Sequence, residues 1–376
     1  MNKLCLLLSS FLLLSQSVIG AAQQEVLPRV DFAETPEWSL TGTQFGGKLL
    51  LSDSPETVNA DGIMYEDTVS GDVRLFFHHV NGTKEPKKIL VLLENTGKSE
   101  ADIFVYHYGF AGPGGDYGTV GKTAQQDYLA NGRSAYDVTV PAGQKDYLWN
   151  TQKSMTVRPG ELVNGIFDFK TSQPVKLKVV MVPKDYNEQT LRNLKVLDND
   201  VTSLRGTFEG RDKLLLPDDV YNPSTDGVVA ITLADNELDH YAIGTDMTTG
   251  KPVMNYGNYG IMYRIFIPSL EGNQKFKGYL NPRGGEYGGA LGIKYDHKIL
   301  DPLLTPPDTV MFGANTTTAV SPIGSYDSGK SLWFTFSPPG ASNLPVRLLF
   351  IPDPLPDKGP GIITKSLQAP LNKTKA

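Results

Sequence analysis

The sequence predicts an all-β protein made of two tandem antiparallel β-sandwich domains that are related by internal duplication. Short runs rich in β-branched and aromatic residues recur along the chain, and Asn-Gly and Pro-Gly turn signals separate them. Helical periodicity is scarce. The second half of the chain also repeats motifs of the first half in the same order. Together these observations favour strand pairing by hairpins over alternating strands and helices.

The clearest repeat begins with Lys-Leu-Leu-Leu and ends with Asp-Gly. Residues 48–62 and 213–227 match at seven of fifteen positions, whereas composition alone gives about one match in such a window. Farther along, Phe-Asp-Phe at 167–169 corresponds to Phe-Thr-Phe at 334–336, and a Pro-Val pair follows each. Chance similarity of β-rich segments is the alternative to duplication.

The repeat sets the expected domain boundaries. We expect residues 38–183 to form the first sandwich and residues 203–352 the second, with a polar and charged linker at 184–202. Residues 23–37 are a polar lead-in. Residues 353–376 are rich in Pro and Lys and are expected to be disordered or to lie extended on the surface.

The predicted strands are short. Those of the first half are expected at 73–80, 89–94, 103–108, 136–140, 153–157 and 176–182, and those of the second half at 228–233, 259–268, 291–295 and 332–336. Helix is expected only as a turn or two at 125–130 and in the linker at 186–196, where Leu191 and Leu194 have helical spacing.

The first 22 residues read as a secretory signal peptide. Lys3 supplies the positive end, an apolar stretch at 4–14 follows, and small residues offer a cleavage site after position 20 to 22. A membrane anchor is the alternative, but the apolar stretch is too short to span ~30 Å. The single cysteine, Cys5, lies in this segment, so we expect a mature chain without disulfides, thiolate metal sites or a cysteine nucleophile. The expected location is therefore extracellular or periplasmic, free or associated with the cell envelope.

Charge and hydropathy along the sequence indicate which partners are not expected. The net charge of −6 is spread without basic runs, so nucleic acid is not an expected partner. No second apolar stretch is long enough to span a membrane once the signal is removed.

Two glycine-rich loops are the first candidate binding site. Residues 109–118 and 278–288 share the order Gly, aromatic, Pro, Gly, acid, Tyr, Gly, and neither has the Lys-Ser/Thr of a phosphate loop. Their aromatic rings could stack on a sugar and their carboxylates could accept its hydroxyls. Alternatively, each Tyr plugs a sandwich end and each acid caps backbone N–H groups. The ligand-binding candidates in the loops are Asp116, Tyr117, Glu286 and Tyr287.

A run of tyrosines precedes the second loop. Residues 256–263 read Tyr-Gly-Asn-Tyr-Gly-Ile-Met-Tyr, and we include Tyr256 and Tyr259 among the ligand-binding candidates because tyrosines at a cleft stack on sugars or on a partner surface. Buried tyrosines of a sandwich are the alternative.

Motifs for metal binding and catalysis are missing. His107 and one of the adjacent pair His78 and His79 could meet across strands and bind zinc or copper, but the sequence has no His-x-His or His-Glu-x-x-His. A Gly-x-Ser-x-Gly elbow is missing too. We therefore predict no metal, no cofactor and no catalytic residue.

Four segments resemble a family of mostly uncharacterised secreted bacterial proteins of Gram-positive type. These segments are residues 49–56, 92–97, 204–210 and 336–346. Some members of that family carry an attached copper amine oxidase N-terminal-like domain, which is absent here. The resemblance implies secretion but transfers no catalytic residue. An oxidase is rejected because the nearest segment to its modified Tyr motif, Asn-Tyr-Gly at 255–257, lacks the acid.

These observations lead to a functional expectation. The chain is predicted to be a secreted, non-catalytic cell-envelope protein that binds a glycan or a surface protein. We expect the binding site at the inter-domain cleft or the glycine-rich loops. One alternative is an enzyme acting on envelope polysaccharide, with Asp116 and Glu286 as its acids. Another is a purely structural surface component.

Overall fold

The computed structural model describes residues 27–314 and 316–363. The predicted signal peptide at 1–22 lies outside the described residues, as do positions 23–26 of the lead-in and 364–376 of the tail. "First half" below means residues 38–183 and "second half" means residues 203–352.

The first half contains nine strands and one long helix. They are β1 (Leu40–Phe45), β2 (Lys48–Ser52), β3 (Thr57–Val58), β4 (Gly62–Asn81), β5 (Lys87–Glu94), β6 (Ala101–Gly114), α1 (Tyr117–Ala130), β7 (Tyr136–Val140), β8 (Lys145–Tyr147) and β9 (Leu162–Pro183).

The linker carries a short helix, and the second half continues with strands alone. These elements are α2 (Glu188–Asn193), β10 (Arg205–Glu209), β11 (Asp212–Pro217), β12 (Val229–Leu233), β13 (Ile243–Asp246), β14 (Lys251–Met254), β15 (Met262–Ile267), β16 (Lys275–Pro282), β17 (Gly289–Tyr295), β18 (Lys298–Ile299), β19 (Leu303–Thr305), β20 (Ser321–Asp327), β21 (Leu332–Phe336) and β22 (Val346–Asp353). The all-β prediction is confirmed. The sheets are not wholly antiparallel as predicted, because β2 and β3 pair with β4, and β11 pairs with β15, in parallel.

In the first half one sheet folds over on itself. Strands β4 and β9 are 20 and 22 residues long and pair antiparallel along almost their whole length. Strand β6 pairs with the first part of β9 and β5 with its last part. Register shifts between Ile63 and Tyr65 and between Val69 and Gly71 allow the bend, so that both ends of the sheet enclose one apolar core.

Alternation along β9 shows how one strand serves two cores. Phe167 and Phe169 point into the first core, whereas Ile166 packs into the core of the second half. Successive strand residues face opposite sides of a sheet, which explains why this run is apolar on both faces. Each such fully buried side chain contributes about 1.5–3 kcal/mol.

The second half forms a sandwich from two sheets. Strands β11, β15, β21 and β17 follow one another in a seven-stranded sheet, and β12, β22, β16 and β20 form a four-stranded sheet. The largest apolar core combines residues from both sheets, including Ile231, Ile265 and Phe334.

The two halves exchange strands, which corrects the predicted domain boundaries. Strand β1 of the first half pairs with β11 of the second, and β10 of the second half pairs with β2 of the first. Leu40 faces Pro217 in one pair and Arg205 faces Ser52 in the other. Strands β13 and β14 extend the first-half sheet further. The linker at 184–202 therefore divides the sequence into two halves, but two of the sheets contain strands from both halves.

Two local predictions were also wrong. Residues 153–157 form no strand; a 3₁₀ turn at Asn150–Lys153 and a single bridge at Val157 take that place. The start of the predicted disordered tail is packed: β22 ends at Asp353, and Ile362 is buried and bridges Val30. A few apolar residues in a Pro-rich stretch were enough to seal the edge of the core.

Candidate functional site

The first glycine-rich segment spans the end of a strand and the start of a helix: residues 109–114 belong to β6, and α1 begins at Tyr117. Asp116 is the N-cap of α1, and its carboxylate accepts hydrogen bonds from Thr119 N at 3.0 Å and Thr119 Oγ1 at 2.9 Å. These hydrogen bonds lower the pKa of Asp116. The Tyr117 hydroxyl donates to the carbonyl oxygen of Gly160 at 3.0 Å. Both candidates are thus engaged within the protein, which favours the scaffold alternative for this loop.

The second glycine-rich loop connects β16 to β17 and contains no helix. Tyr287 is fully buried, with its ring centroid 6.5 Å from that of Phe336, and burial raises the pKa of its hydroxyl. Glu286 is exposed, and its main-chain carbonyl accepts hydrogen bonds from Asn343 N at 2.9 Å and Nδ2 at 3.0 Å. Tyr287 therefore plugs the sandwich, as in the scaffold alternative. Of the two candidates in this loop, only Glu286 faces solvent.

Both loops converge on the same internal segment. A Cβ added at Gly118 would lie 2.6 Å from Met311 Sδ, and one added at Gly288 would lie 2.1 Å from the carbonyl oxygen of Val310. The backbone can approach this closely only where the side chain is a hydrogen. The loops come together, and residues 310–311 fill the space directly between Gly118 and Gly288. A depression of about 310 Å³ lies beside them and is lined by Thr119 and Lys122 of α1 and by residues 307–310.

The predicted tyrosines at 256 and 259 differ in their exposure. Tyr256 is 48% exposed and its ring centroid is 5.9 Å from that of Tyr241. Tyr259 is half-buried, and its hydroxyl donates to the carbonyl oxygen of Ser342 at 2.6 Å. Tyr259 thereby joins the stretch 337–345 to the rest of the junction, whereas Tyr256 remains available at the surface.

The histidines of the considered metal site have other partners. The His79 ring nitrogens contact Ser52 Oγ at 2.8 Å and the carbonyl oxygen of Pro55 at 2.9 Å. His107 stacks on Tyr128 with 4.0 Å between ring centroids. Among the described residues, no three His, Cys, Asp or Glu side chains are arranged to hold a metal ion.

A buried ion network joins the halves, and the sequence analysis missed it. Arg74 on β4 is 2% exposed and pairs with the Asp168 carboxylate at 2.7 and 2.9 Å. It also donates to Asp212 Oδ1 at 2.9 Å, and the Tyr128 hydroxyl donates to Asp168 Oδ2 at 2.8 Å. Burial alone would raise the pKa of Asp168, but the charges of Arg74 and Arg211 and the hydrogen bonds from Arg74 and Tyr128 together outweigh it, and the pKa is lowered. A signal existed: Arg74 interrupts an apolar run, between Val73 and Leu75–Phe77.

The principal candidate binding site is a cleft beside Trp38, named here the Trp38 cleft. It has a volume of about 360 Å³. Its apolar lining includes Leu40 of β1 and Leu215 of β11, so the strand exchange brings both halves to it. Leu238, which is 63% exposed, stands at its rim. The polar lining consists of Glu37, Ser39, Thr232, Lys213, Asp239 and His240.

Protein groups already pair the charges of the Trp38 cleft. Lys213 Nζ contacts the Asp239 carboxylate, whose Oδ2 also accepts the Tyr263 hydroxyl at 2.6 Å. Glu37 pairs with Arg347. His240 is exposed, and its Nδ1 contacts the carbonyl oxygen of Asn236 at 3.2 Å. Because a carbonyl oxygen only accepts, Nδ1 carries the proton and Nε2 of the neutral ring is left as an acceptor.

Trp38 itself lines two depressions. Its indole packs on Tyr221 and Phe350, with ring centroids at 5.8 and 6.2 Å. The second cleft, of about 340 Å³, is lined also by Asp219, Val220 and Asp226. The half-buried indole is therefore a fixed aromatic wall shared by both depressions.

Comparison with known proteins gives little further guidance. No family model matches the chain, and no curated protein matches it. Among solved structures it is similar to the CUB1-EGF-CUB2 region of human MASP-1/3, at 14% identity over 83% of this chain and 99% of that chain, with a TM-score of 0.19. It is also similar to a mutant of Bacillus subtilis oxalate decarboxylase, at 11% identity over 83% and 78%, with a TM-score of 0.12. Similarities this weak carry no argument about function.

The helices of the described residues are not membrane spans. Neither α1 nor α2, nor any other helix in residues 27–314 and 316–363, has the length and apolarity needed to cross a membrane.

Proposed function

We propose that the protein is a secreted, non-catalytic component of the cell envelope that binds a glycan. The observation that carries the proposal is the Trp38 cleft. Its volume of about 360 Å³ lies within the range of roughly 300–1,000 Å³ found for small-ligand sites. A fixed indole with hydroxyl and carboxylate groups around it suits a sugar ring, which has an apolar face and a polar edge.

The charge arrangement favours a neutral glycan over an ionic ligand. Lys213 and Asp239 neutralise each other, as do Glu37 and Arg347. Their remaining hydrogen-bonding capacity suits hydroxyl groups, as does the free acceptor of His240. The second depression, which Trp38 also lines, would accommodate the next unit of a chain passing the indole.

The non-catalytic part of the proposal rests on the acids of the enzyme alternative. A general acid for glycoside hydrolysis needs a raised pKa. Asp116 has a lowered pKa because Thr119 donates hydrogen bonds to its carboxylate. Asp116 is thus suited to capping α1 and not to the general-acid role.

Affinity electrophoresis through gels containing dextran, β-glucan or galactomannan tests this proposal, together with sedimentation on purified peptidoglycan. We expect retardation by at least one of these glycans and loss of about tenfold in affinity for Trp38→Ala. Because Trp38 also packs on Tyr221, Leu238→Ser at the exposed rim provides a second variant that preserves folding. Leu270→Ser, 44% exposed and outside the cleft, is the matched control.

Two results would contradict the proposal. One is retention by a glycan that neither Trp38→Ala nor Leu238→Ser weakens. The other is no retention by any glycan of the panel, which would favour the structural-component alternative.

A further inference from the structure

A second polar cluster lies outside the Trp38 cleft, and its charged side chains are all acidic. Asp53 and Glu56 follow β2, and Asp200 belongs to the linker; we call these three the acid cluster. Glu56 N donates to Asp200 Oδ2 at 2.7 Å, and Asp200 N donates to Ser54 Oγ at 2.9 Å. These bonds hold the loop and the linker together, so the three carboxyl groups share one corner of the molecule.

The acid cluster has no cationic partner among the described residues. No Lys or Arg nitrogen there lies within 4.0 Å of its carboxylates, and the one basic contact is His78 Nε2, at 4.0 Å from Glu56 Oε1. Oδ1 of Asp53 is buried and accepts no hydrogen bond. Burial, and then the charges of Glu56 and Asp200, raise the pKa of Asp53 well above its usual value. Burial and the Asp200 charge raise the pKa of Glu56 as well.

His78 does not supply the missing charge. It is 2% exposed, and its Nδ1 makes no hydrogen bond in the described part of the chain. Burial lowers the pKa of His78 to about 4, so the ring is neutral near pH 7 although it faces Glu56. The tight packing of Gly340, whose added Cβ would lie 2.3 Å from Nδ1, fixes the ring with Nε2 towards Glu56.

The gap between His78 and Glu56 has the size that an ammonium group requires. At 4.0 Å the two atoms are too far apart to hydrogen-bond each other. Two acceptors that share one ammonium group lie roughly 4 to 5 Å apart, given donor–acceptor distances of about 2.8 Å and tetrahedral N–H directions. With its proton on Nδ1, the neutral imidazole presents Nε2 as an acceptor opposite an unpaired carboxylate, and the two then form a matched pair of acceptors.

We infer that the acid cluster and His78 form a binding site for a primary ammonium group, presented by an amino sugar or by a lysine side chain. The ammonium would donate to Glu56 Oε1 and to His78 Nε2, and the nearby charges of Asp53 and Asp200 would add long-range attraction. The same carboxylates affect Tyr259: burial, followed by the charges of Asp53 and Glu56, raises its pKa, so the site adjoins the predicted tyrosine run. This site is separate from the Trp38 cleft and does not depend on the glycan proposal.

The ¹H NMR signal of the His78 ring provides a local measurement, assigned by its loss in His78→Gln. Titration at pH 7 with glucosamine should shift this signal saturably, whereas N-acetylglucosamine, in which the amine is an uncharged amide, should not shift it. Trilysine identifies the source: tighter binding of trilysine than of glucosamine points to a peptide lysine, and the reverse points to an amino sugar. Sodium chloride at equal ionic strength corrects for screening.

Variants of the exposed acids complete the test. Glu56→Gln is expected to weaken glucosamine binding about tenfold, because a charge-assisted hydrogen bond is lost, and Asp200→Asn should weaken it less. Glu100→Gln, an exposed acid elsewhere, and Trp38→Ala should leave it unchanged. Binding should also weaken from pH 7 to pH 5, since the raised pKa values of Asp53 and Glu56 let these carboxyls take up protons as the pH falls.

The inference is overturned by an equal response to N-acetylglucosamine, or by affinity that Glu56→Gln leaves intact. It is also overturned if calcium chloride alone gives the His78 shift at lower concentration than either amine, since the site would then be a metal site.

Discussion

The two halves of the molecule share a pairing scheme but differ in the continuity of their longest strands. In the first half β4 and β9 are unbroken. In the second half β12 and β15 together make the contacts that β4 makes, and β21 and β22 make those of β9. Strands β5 and β16 pair with the corresponding parts, as do β6 and β17.

Two segments interrupt the paired strands of the second half, and these segments distinguish it from the first half. Residues 234–261 separate β12 from β15 and carry Asp239 and His240 of the Trp38 cleft, as well as β13 and β14. Residues 337–345 separate β21 from β22 and lie against α1 and His78. A repeated scaffold thus acquired its specific features where the repeat is interrupted. The repeated loops themselves were used for packing.

The largest expected effect concerns the network that joins the halves. Arg74→Met removes the cation that pairs most closely with the buried Asp168 and Asp212 and leaves them Arg211 at 3.8 and 3.9 Å. We expect the free energy of unfolding to fall by about 3–5 kcal/mol. Urea denaturation followed by tryptophan fluorescence measures this. Lys330→Met removes the exposed pair with Asp296 and should cost about 1 kcal/mol or less. Equal losses in the two variants would mean that the network does not hold the halves together.

A medium effect is expected where α1 meets the stretch 337–345. A Cβ at Gly121 would lie 1.8 Å from the carbonyl oxygen of Gly340. Although Ala favours helix by about 1 kcal/mol over Gly, the clash with backbone should dominate, and Gly121→Ala is expected to lower stability by about 1–3 kcal/mol. Thermal unfolding provides the measurement. Gly132→Ala, with open space around the added Cβ, should be neutral or slightly stabilising; a similar loss there would contradict the packing account.

The smallest effect separates the two glycine-rich loops. Asp116→Ala removes the N-cap of α1 and should cost about 1 kcal/mol, while Asp116→Asn should retain most of the cap. Glu286→Ala, at the corresponding position of the second loop, caps no helix and should leave stability unchanged. Chemical denaturation of the three variants, with glycan retention measured in parallel, tests this contrast. Reduced retention in Asp116→Asn at full stability would restore the first loop as a binding site.

Much of the strand content could be predicted from the sequence. The runs at 73–80, 89–94 and 176–182 lie inside β4, β5 and β9 because β-branched and aromatic residues fill faces that are buried. The helix α1 was predicted only at its end. Gly118 and Gly121 resemble turn residues, yet tertiary packing against Met311 and Gly340 requires them inside a helix.

The site was less predictable, for physical reasons. Repeat symmetry drew attention to Asp116 and Glu286, which hold equivalent positions but make different contacts. Trp38 precedes the first repeat motif and becomes part of a cleft only because β1 crosses to the other sheet. Pairing across more than 170 positions, as between Leu40 and Pro217, leaves no local trace in the residues.

The exchange of β1 and β10 determines how the folded chain would respond to cleavage in the linker. A protease that cut once between positions 184 and 202 would yield two fragments, and each fragment would contribute a strand to a sheet of the other. Such a nicked molecule would survive as a non-covalent whole, and either fragment made by itself would expose an unfilled strand position that only its counterpart matches.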